Sequence, residues 1–351
     1  MRKKLLRIFF AVVITAVSLY FAFRRVDMGN VWESLVKANY VWVFIAVLVM
    51  FLSHVARALR WQVMLRSVKK VSVVNSFSAV MIGYALNQIT PRGGELLRPY
   101  ILGKRENISK SMLLATIVIE RTFDLLSLLV IIIISIVVYS SHFSDTIVSM
   151  LREGEWTKNM GINSMGDVFR VIALPFAVAL AAMLWLLFSR AGQKILLLPL
   201  RLLPQRFQTK IEELLSAFKE GMRVVRSGGQ IYWVLFYTVC IWLMYVSQIY
   251  FPFFALHLDA YHLTFGDAFI LLAIISIAVT IAPTPGAIGV YHFFCIEGMV
   301  LFLNIDYKTS AAFATLTHGF GYIFMLVTGA LFYIRENVTW KEVQKVEAGG
   351  Q

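Results

Sequence analysis

The sequence of 351 residues is 59% hydrophobic, whereas only 15% of its residues are charged. Soluble domains are nearer half apolar, so this composition excludes a soluble globular protein and indicates a polytopic membrane protein. The net charge of +13 does not indicate a nucleic-acid-binding protein, because the basic residues lie between apolar segments rather than in one soluble domain.

Six apolar segments are each long enough to cross a bilayer as a helix, which takes about 20 residues. The first is preceded by basic residues and followed directly by Arg24 and Arg25, so we interpret it as a retained signal anchor. Two further apolar regions, 73–103 and 266–303, are interrupted by proline and glycine. The six predicted spans are 5–23, 40–58, 112–139, 168–189, 231–256 and 310–334.

The charges of the polar segments predict the orientation. Segment 59–72 is basic without an acidic residue, and segment 190–230 has eight basic residues against three acidic ones. Segment 140–167 is mainly acidic. Basic loops favour the cytoplasm, so both termini are predicted to be cytoplasmic in the cell membrane of a prokaryote. Helical spacing of apolar residues predicts an amphipathic cytoplasmic connector over about 195–229, either on the inner leaflet or packed on the bundle.

The two interrupted regions resemble each other. One contains "ALNQITPRGGE" and the other "AVTIAPTPGAIG", and each is followed by a lysine-bearing loop and a long apolar helix. The predicted topology gives them opposite orientations, as in the inverted repeats of transporters. We therefore predict one all-α transmembrane domain over 1–334, with repeats over about 40–139 and 231–334, and a short cytoplasmic tail over 335–351.

Charge and helix breaks at membrane depth are tolerated only where protein covers them or where they line a cavity. The interrupted regions are therefore predicted to be two opposed re-entrant helical hairpins. For the second region, an ordinary turn between two short spans is the alternative. The predicted breaks are Pro91, Gly93 and Gly94 in the first region and Pro283, Pro285, Gly286 and Gly289 in the second.

The first region contains a candidate site for a phosphate group. Arg92, Glu95 and Arg98 lie near one face if a helix restarts after the two glycines. The first N–H groups of a helix are unpaired and favour an anion, and arginine binds phosphate with two parallel hydrogen bonds. The alternative is that Arg92 and Glu95 pair for structural reasons.

A second candidate site lies in the predicted span 112–139, which contains Glu120, Arg121 and Asp124. Glu120 lies on the order of 12 Å from the cytoplasmic end of that helix. Charges at this depth cost about 3 kcal/mol or more unless they are paired, so both carboxylates should face the first hairpin. We expect arginines as partners, and either a structural network or a headgroup or proton site. The expected partners are Arg92, Arg98 or Arg121.

The remaining candidates are His292 and Glu297, which follow the second break, and His318, whose neighbours Gly319 and Gly321 favour close helix contact as the alternative. His54 and Arg57 are predicted to be anchors at the inner end of the span 40–58. No dinucleotide, P-loop, metalloprotease or hydrolase motif occurs, so we expect no cofactor, no metal and no enzymatic activity. Acid–base chemistry would require Glu120, Asp124 and His292 to converge.

Three motifs, "NQITPRGGELLRPY", "ERTFDLL" and "PTPGAIGVYHFF", resemble the lysylphosphatidylglycerol synthase transmembrane-region family, whose members are also called flippase-like or UPF0104 proteins. The resemblance covers about 5–334. It assigns to the motifs the residues Asn87, Pro91, Arg92, Gly94, Glu95, Arg98, Glu120, Arg121, Asp124, Pro285, Gly286 and Gly289.

The best-known members of this family join the membrane region to a cytosolic aminoacyl-transferase domain, and the membrane region moves the modified lipid outward. This chain ends about 17 residues after its last predicted span, so we expect a stand-alone member without that domain. The resemblance implies a flippase-like protein that translocates or presents a lipid through a polar cavity. The expected partner is a membrane lipid with a phosphate headgroup, either a phospholipid or a polyprenyl-phosphate-linked lipid. The alternatives are an intramembrane lipid-modifying enzyme or a non-transporting partner of a lipid synthase or glycosyltransferase.

Overall fold

The computed structural model describes residues 2–66, 68–90, 93–153, 229–282, 284–339 and 342–343, together with isolated positions between 167 and 209. The predicted span 168–189 and the connector over about 195–229 lie largely outside the described residues, as do Pro91, Arg92 and Pro283. The described residues are helical and contain no β-strand. The helices are α1 (Arg2–Phe23), α2 (Met28–Val36), α3 (Tyr40–Leu65), α4 (Val73–Ile89), α5 (Gly94–Glu106), α6 (Lys110–Glu153), α7 (Gln230–Ala255), α8 (Phe265–Ile281), α9 (Val290–Leu303) and α10 (Tyr307–Arg335), with short 3₁₀ turns at Leu258–Tyr261 and Pro285–Ala287.

Several of these helices are long and apolar enough to cross a bilayer. Among the described residues they are Tyr40–Leu65, Gln230–Ala255, Pro285–Leu303 and Tyr307–Arg335. The segments Phe9–Phe23 and Met28–Val36 are bent by 81° and together would make a fifth span. The prediction of an all-α multi-pass membrane protein is therefore confirmed, whereas the six spans and the re-entrant character of the two hairpins stay predictions.

Helix α3 is longer than the predicted span 40–58. It continues to Leu65 because Arg57 and Arg60 do not end the apolar face; their side chains are 3% and 0% exposed. The expectation that His54 and Arg57 reach the interface is wrong, because both are buried, and so is the expectation that residue 60 lies in a cytoplasmic loop. Helix α6 likewise continues past the predicted end of the span 112–139 to Glu153.

The first hairpin consists of α4 and α5, which meet backbone to backbone. A Cβ atom on Gly94 would lie 1.8 Å from the carbonyl oxygen of Gly83, so only glycine fits at this crossing. The N–H of Gly94 donates to Oδ1 of Asn87 at 2.8 Å, which closes the break from within. Helix α5 has 13 residues and is about 20 Å long, too short to cross a bilayer.

The second hairpin consists of α8 and α9, joined through the 3₁₀ turn Pro285–Ala287. The break depends on left-handed backbone at Gly286 (φ 57°), Ala287 (φ 57°) and Gly289 (φ 82°). Helix α1 covers this turn closely, since a Cβ atom on Gly289 would lie 2.6 Å from the carbonyl oxygen of Thr15. Both hairpins are thus breaks held in place by packed protein.

The helix contacts are related in pairs. In the first half, each of the helices α3 to α6 contacts the next one along the chain. In the second half, each of the helices α7 to α10 does the same, so every one of these contacts has a counterpart. The counterpart of the α4–α10 contact is α8–α6, which also occurs, and α3 packs extensively on its own counterpart α7. These two helices run antiparallel, because Asn39 N–H donates to the Ala255 carbonyl at 2.8 Å while Arg60 reaches Thr238 near the opposite ends. This packing agrees with two related halves.

The polar segments gather at two ends of the bundle. At one end, Tyr261 donates to Asp306 at 2.9 Å and Arg25 donates to Tyr307 at 2.8 Å. At the other end, Lys69 pairs with Glu106 at 3.8 Å. The first end, formed by residues 24–39, 256–267 and 304–308, has four basic and five acidic residues. The second end, formed by the described residues within 66–75, 103–110 and 335–343, has seven basic and three acidic ones.

The segment after α10 fastens the first hairpin at the basic end. We call residues 336–343 the tail clasp; residues 340 and 341 lie outside the described positions. Glu336 accepts a hydrogen bond from Ser78 at 2.7 Å and pairs with Arg105. Glu342 pairs with Lys104 at 2.6 Å. The hydrogen bond from Lys104 lowers the pKa of Glu342 to about 2.

Candidate functional site

A network of buried charges joins α3, α5 and α6. Arg57 Nη1 lies 2.5 Å from Glu120 Oε1 and 3.2 Å from Asp124 Oδ2. Arg60 Nη2 lies 2.8 Å from Asp124 Oδ1. Helical spacing of three and four residues brings each pair to the same face of its helix, so the two helices meet through these side chains.

The first hairpin supplies a third arginine to this network. Arg98 Nη2 lies 3.1 Å from Glu120 Oε2, and its guanidinium stacks over Trp61 at 4.7 Å from the ring centroid. The prediction that both carboxylates face the first hairpin is confirmed for Glu120, which pairs with Arg98, but not for Asp124, whose ion pairs are with α3 and α6. Glu120 thus connects α5 to α3, since Arg57 engages the same carboxylate.

Arg121 contacts the network more loosely. Its nitrogens lie 3.4 Å from Glu120, 3.4 Å from Asp124 and 3.7 Å from Glu95. Its side chain is 37% exposed, in contrast to the three other guanidinium groups. We call Arg57, Arg60, Glu95, Arg98, Glu120, Arg121 and Asp124 the arginine network. It has four positive and three negative groups, so it has an excess of one positive charge.

Neutral side chains accept further hydrogen bonds from the network. Arg57 donates to the hydroxyl of Tyr245 at 2.6 Å, and Arg60 donates to that of Thr238 at 3.0 Å, both on α7. The ring of Tyr84 lies 5.7 Å from the Arg57 guanidinium. The network therefore ties together both halves of the molecule.

A cavity of about 720 Å³ opens beside the network and reaches both hairpin breaks. The network contributes Arg57, Glu95, Arg121 and Asp124 to its wall, and apolar side chains of α6 and α8 line another part. The first hairpin adds Tyr84, Asn87 and Gln88, and the second break adds Thr284, Gly286 and Ala287.

Helix α10 holds the second break against this cavity. His318 Nε2 lies 2.8 Å from the carbonyl oxygen of Gly286, so this nitrogen donates the hydrogen bond. Tyr291 donates to Thr317 at 2.9 Å. A Cβ atom on Gly286 would lie 2.7 Å from the Tyr322 ring and 2.8 Å from the Gln88 amide oxygen. The first hairpin and the second break are therefore in contact across the cavity.

The structure brings most of the predicted site residues together. Asn87, Glu95, Arg121 and Asp124 line the cavity, and so does Gly286. Glu120 and Arg98 lie directly behind this wall, while Gly93, Gly94, Pro285 and Gly289 shape the two breaks. Arg92, Pro91 and Pro283 are outside the described residues.

Two predicted residues lie away from the cavity wall. His292 packs with its ring centroid 4.6 Å from that of His318 and 5.6 Å from that of Phe23. Glu297 accepts a hydrogen bond from Tyr307 at 3.4 Å. Neither residue meets Glu120 or Asp124, so the convergence required for acid–base chemistry is not seen.

Several residues of the site were missed by sequence reasoning. Arg57 and Arg60 lie on the same face of α3 as the buried residues Trp61 and Met64, and this spacing is a signal that could have identified them. The cavity-lining residues Tyr84, Gln88, Trp242, Tyr245 and Gln248 lie within apolar segments, and nothing in the sequence separates them from core or interface residues. His318 also lines the cavity, and the sequence does mark it as a histidine beside two glycines in an apolar helix.

Comparisons with known proteins match the chain to one family model and to several UPF0104 membrane proteins. The family model described as the lysylphosphatidylglycerol synthase TM region matches residues 8–329. A UPF0104 membrane protein of Methanothermobacter thermautotrophicus is 26% identical across 95% of this chain and 98% of its own length. A UPF0104 membrane protein of Methanocaldococcus jannaschii is 27% identical across 73% of this chain and 97% of its own length. No solved structure matches the chain.

Proposed function

Because the chain belongs to the lysylphosphatidylglycerol synthase transmembrane-region family, we propose that it translocates or presents a lipid with a phosphate headgroup. The headgroup occupies the polar cavity while the acyl chains stay in the bilayer. Shielding the headgroup lowers the cost of moving charge across hydrocarbon, which is about 3 kcal/mol or more for a single charged group.

The observation that supports this proposal best is the composition of the cavity wall. One part presents the guanidinium groups of Arg57 and Arg121, which suit phosphate. Another part is apolar and suits the glycerol ester region or the first carbons of an acyl chain. A lipid is the kind of ligand that needs both surfaces. The apolar part consists of Leu125, Leu128, Leu272, Ile275 and Val279.

The proposal includes two opposed re-entrant hairpins in an inverted repeat. Its support is the short α5, the antiparallel packing of α3 on α7 and the paired helix contacts. The proposal assigns the basic end of the bundle to the cytoplasm of a cell-membrane protein, and the preference of basic loops for the cytoplasm supports this. Both termini are then cytoplasmic.

Lipid movement is measured with the full chain reconstituted into vesicles that contain a headgroup-fluorescent phospholipid. Dithionite quenches the fluorophore in the outer leaflet only, so the quenched fraction reports exchange between the leaflets. We expect exchange above that of protein-free vesicles. Arg121→Gln should slow it about tenfold or more, since this side chain faces the cavity and contributes a charge to phosphate binding.

The matched control is Lys37→Gln, which removes a charge from the exposed Lys37–Glu33 pair on α2. This variant should exchange lipid at the parent rate. Exchange no faster than in protein-free vesicles would overturn the proposed transport and favour a non-transporting partner. Equal rates in Arg121→Gln and the parent would remove the arginine from the mechanism.

Orientation is tested by labelling single cysteines in intact cells with an impermeant maleimide. Lys37→Cys lies at the end with excess acid and Lys70→Cys at the basic end, both in a chain in which Cys240 and Cys295 are serine. We expect Lys37→Cys to react in intact cells and Lys70→Cys only after lysis. The reverse pattern would invert the proposed topology.

A further inference from the structure

We infer that the cavity selects a phosphodiester headgroup whose attached group is neutral and rich in hydroxyl groups, and that it disfavours a headgroup bearing an amine. This inference rests on the proposed function and names the class of lipid. It follows from the charges of the arginine network and from the neutral wall beside the second break.

The carboxylates of the arginine network are already paired, so a ligand can be bound by its guanidinium groups. The oxygens of Asp124 are engaged by Arg60 at 2.8 Å and Arg57 at 3.2 Å, and Glu120 is engaged by Arg57 at 2.5 Å and Arg98 at 3.1 Å. Arg121, by contrast, has no contact shorter than 3.4 Å to a carboxylate. Its guanidinium, which lines the cavity, is therefore the group best able to form short hydrogen bonds to an incoming phosphate.

The net charge of the described network favours an anion over a zwitterion. Four guanidinium groups face three carboxylates, so one positive charge is left in surroundings of low dielectric. A headgroup with a net charge of −1 neutralises this excess, whereas a zwitterionic headgroup leaves it in place and a cationic one increases it. Glu95, 3.7 Å from Arg121, is already counted among the three carboxylates.

The wall beyond the network is polar and uncharged. Around the second break it is formed by Gln88, Thr284, Thr317, His318 and the backbone of Gly286. Thr284 and Thr317 already donate to backbone carbonyls, so their oxygens accept, while the Gln88 amide can both donate and accept, and these are the partners that hydroxyl groups need. No carboxylate is present in this part of the described wall, so an ammonium group placed there would have no counter-ion.

One headgroup can reach both parts of the wall. Tyr84 lies at Arg57 and Gln88 lies at Gly286, and the two residues are one turn apart on α4. Four residues of helix rise about 6 Å, which is of the order of the distance from a phosphate to the far hydroxyl of an attached glycerol. The phosphate at Arg121 and the polyol at Gln88 thus form a single binding mode.

The test compares three lipids that carry the same fluorophore on an acyl chain, so that their headgroups are intact, in vesicles that contain the full chain and with the dithionite readout. They are phosphatidylglycerol, which is anionic with free hydroxyls, phosphatidylethanolamine, which is zwitterionic, and lysylphosphatidylglycerol, which is cationic. We expect phosphatidylglycerol to exchange at least about tenfold faster than the other two. Equal rates for phosphatidylglycerol and either amine-bearing lipid would overturn the inference.

A designed change of selectivity provides an independent test. Gln88→Glu keeps the size of the side chain and adds a carboxylate to the neutral wall, where an amine would lie. We expect the rate ratio of phosphatidylethanolamine to phosphatidylglycerol to rise at least about tenfold, because the new carboxylate is a counter-ion for the amine. A purely structural effect would slow all three lipids alike and leave the ratio unchanged, which contradicts the inference.

Two controls separate the sources of failure. If no lipid exchanges, the proposed transport fails, but the selectivity can still be tested by binding. Each lipid is then added to the detergent-solubilised protein and the melting temperature is measured. Phosphatidylglycerol must raise the melting temperature most if the inference is right. Radiolabelled glycerol 3-phosphate tests for a soluble ligand with the same phosphate chemistry. Its uptake by the vesicles would show that the cavity transports a free phosphate ester and would overturn the assignment to a lipid.

Discussion

The two hairpins share an architecture and differ in chemistry. The first hairpin places Arg98 against Glu120 and Glu95 near Arg121, whereas the residues of the second break that line the cavity are uncharged. The first break is closed by the Asn87–Gly94 hydrogen bond, and the second by His318 on α10 bonding to the Gly286 carbonyl.

This difference shows how charge is tolerated at membrane depth. The first hairpin lies against α3 and α6, which already contain Arg57, Arg60 and Asp124, so its charges join an existing network. The second hairpin brings no charge to the cavity wall, and left-handed backbone together with the His318 hydrogen bond holds its break. One half of the cavity wall therefore contains the charged side chains, and the other contains an uncharged backbone break.

The largest expected loss of stability comes from removing a buried charge of the first half. Glu120→Gln removes the carboxylate shared by Arg57 and Arg98 and leaves buried cations without a counter-ion, which costs about 3–5 kcal/mol. We expect a large fall in folded yield and melting temperature in detergent. Glu297→Gln on the second hairpin is the control, since Glu297 accepts only a long hydrogen bond of 3.4 Å from Tyr307. Equal losses in both variants would contradict the comparison.

The next largest loss of stability is expected where the backbones of α4 and α5 meet in the first hairpin. Gly94→Ala would place a methyl group 1.8 Å from the backbone oxygen of Gly83, which cannot move aside as a side chain can. We expect a loss of about 1–3 kcal/mol or more, read as a lower melting temperature. Gly319→Ala is the matched control, because nothing lies within 4 Å of its Cβ position. A Gly94→Ala protein as stable as Gly319→Ala would show that the hairpin adjusts easily.

A smaller loss of stability is expected at the second break. Gly286→Ala forces an alanine into left-handed backbone at a φ of 57°, at a cost of about 1–2 kcal/mol. The new methyl group also contacts Tyr322 and Gln88 at the cavity. The rate of lipid exchange should therefore fall even when it is normalised to the amount of folded protein. Ala287→Gly, at the same φ, should be neutral or stabilising. Parent-like exchange in Gly286→Ala would mean that the shape of this break does not matter.

The smallest effect concerns the tail clasp, which fastens the first hairpin through Lys104 and Glu342. The pKa of Glu342 is lowered to about 2 from an ordinary value of 4.5. Its contribution is therefore complete above about pH 4.5 and is lost as the pH falls through about 2. Glu342→Gln should lower stability by less than about 1 kcal/mol at pH 7, because Lys104 is 53% exposed.

This pH dependence is measured as the difference in melting temperature between parent and Glu342→Gln, which should shrink toward zero in strong acid. Glu33→Gln, in a more exposed pair at the other end of the bundle, is the control and should change the melting temperature less than Glu342→Gln does. A difference that grows on acidification would have the wrong sign for an ion pair.

The sequence predicts the helices and the breaks because apolar length, proline and glycine report directly on local conformation. It also predicts the Arg98–Glu120 pair, since two unlike charges at membrane depth must find each other. It places Arg57 and Arg60 wrongly, because a basic residue near the end of an apolar run also fits a helix that stops there. Tyr245 could not be predicted, since its position in the cavity depends on how the two halves pack, and for His318 the sequence leaves a functional role and close helix packing both open.

The tail clasp has a consequence for biosynthesis. Arg105 meets its partner Glu336 only after 231 more residues have been made. At about 5–20 residues per second, a ribosome needs about 10–50 s for that length. During this interval α4 and α5 are already synthesised, while the acidic partners of Lys104 and Arg105 are not. The first hairpin is therefore completed last although it is translated early, and an insertase or chaperone that shields its basic end would act in this window.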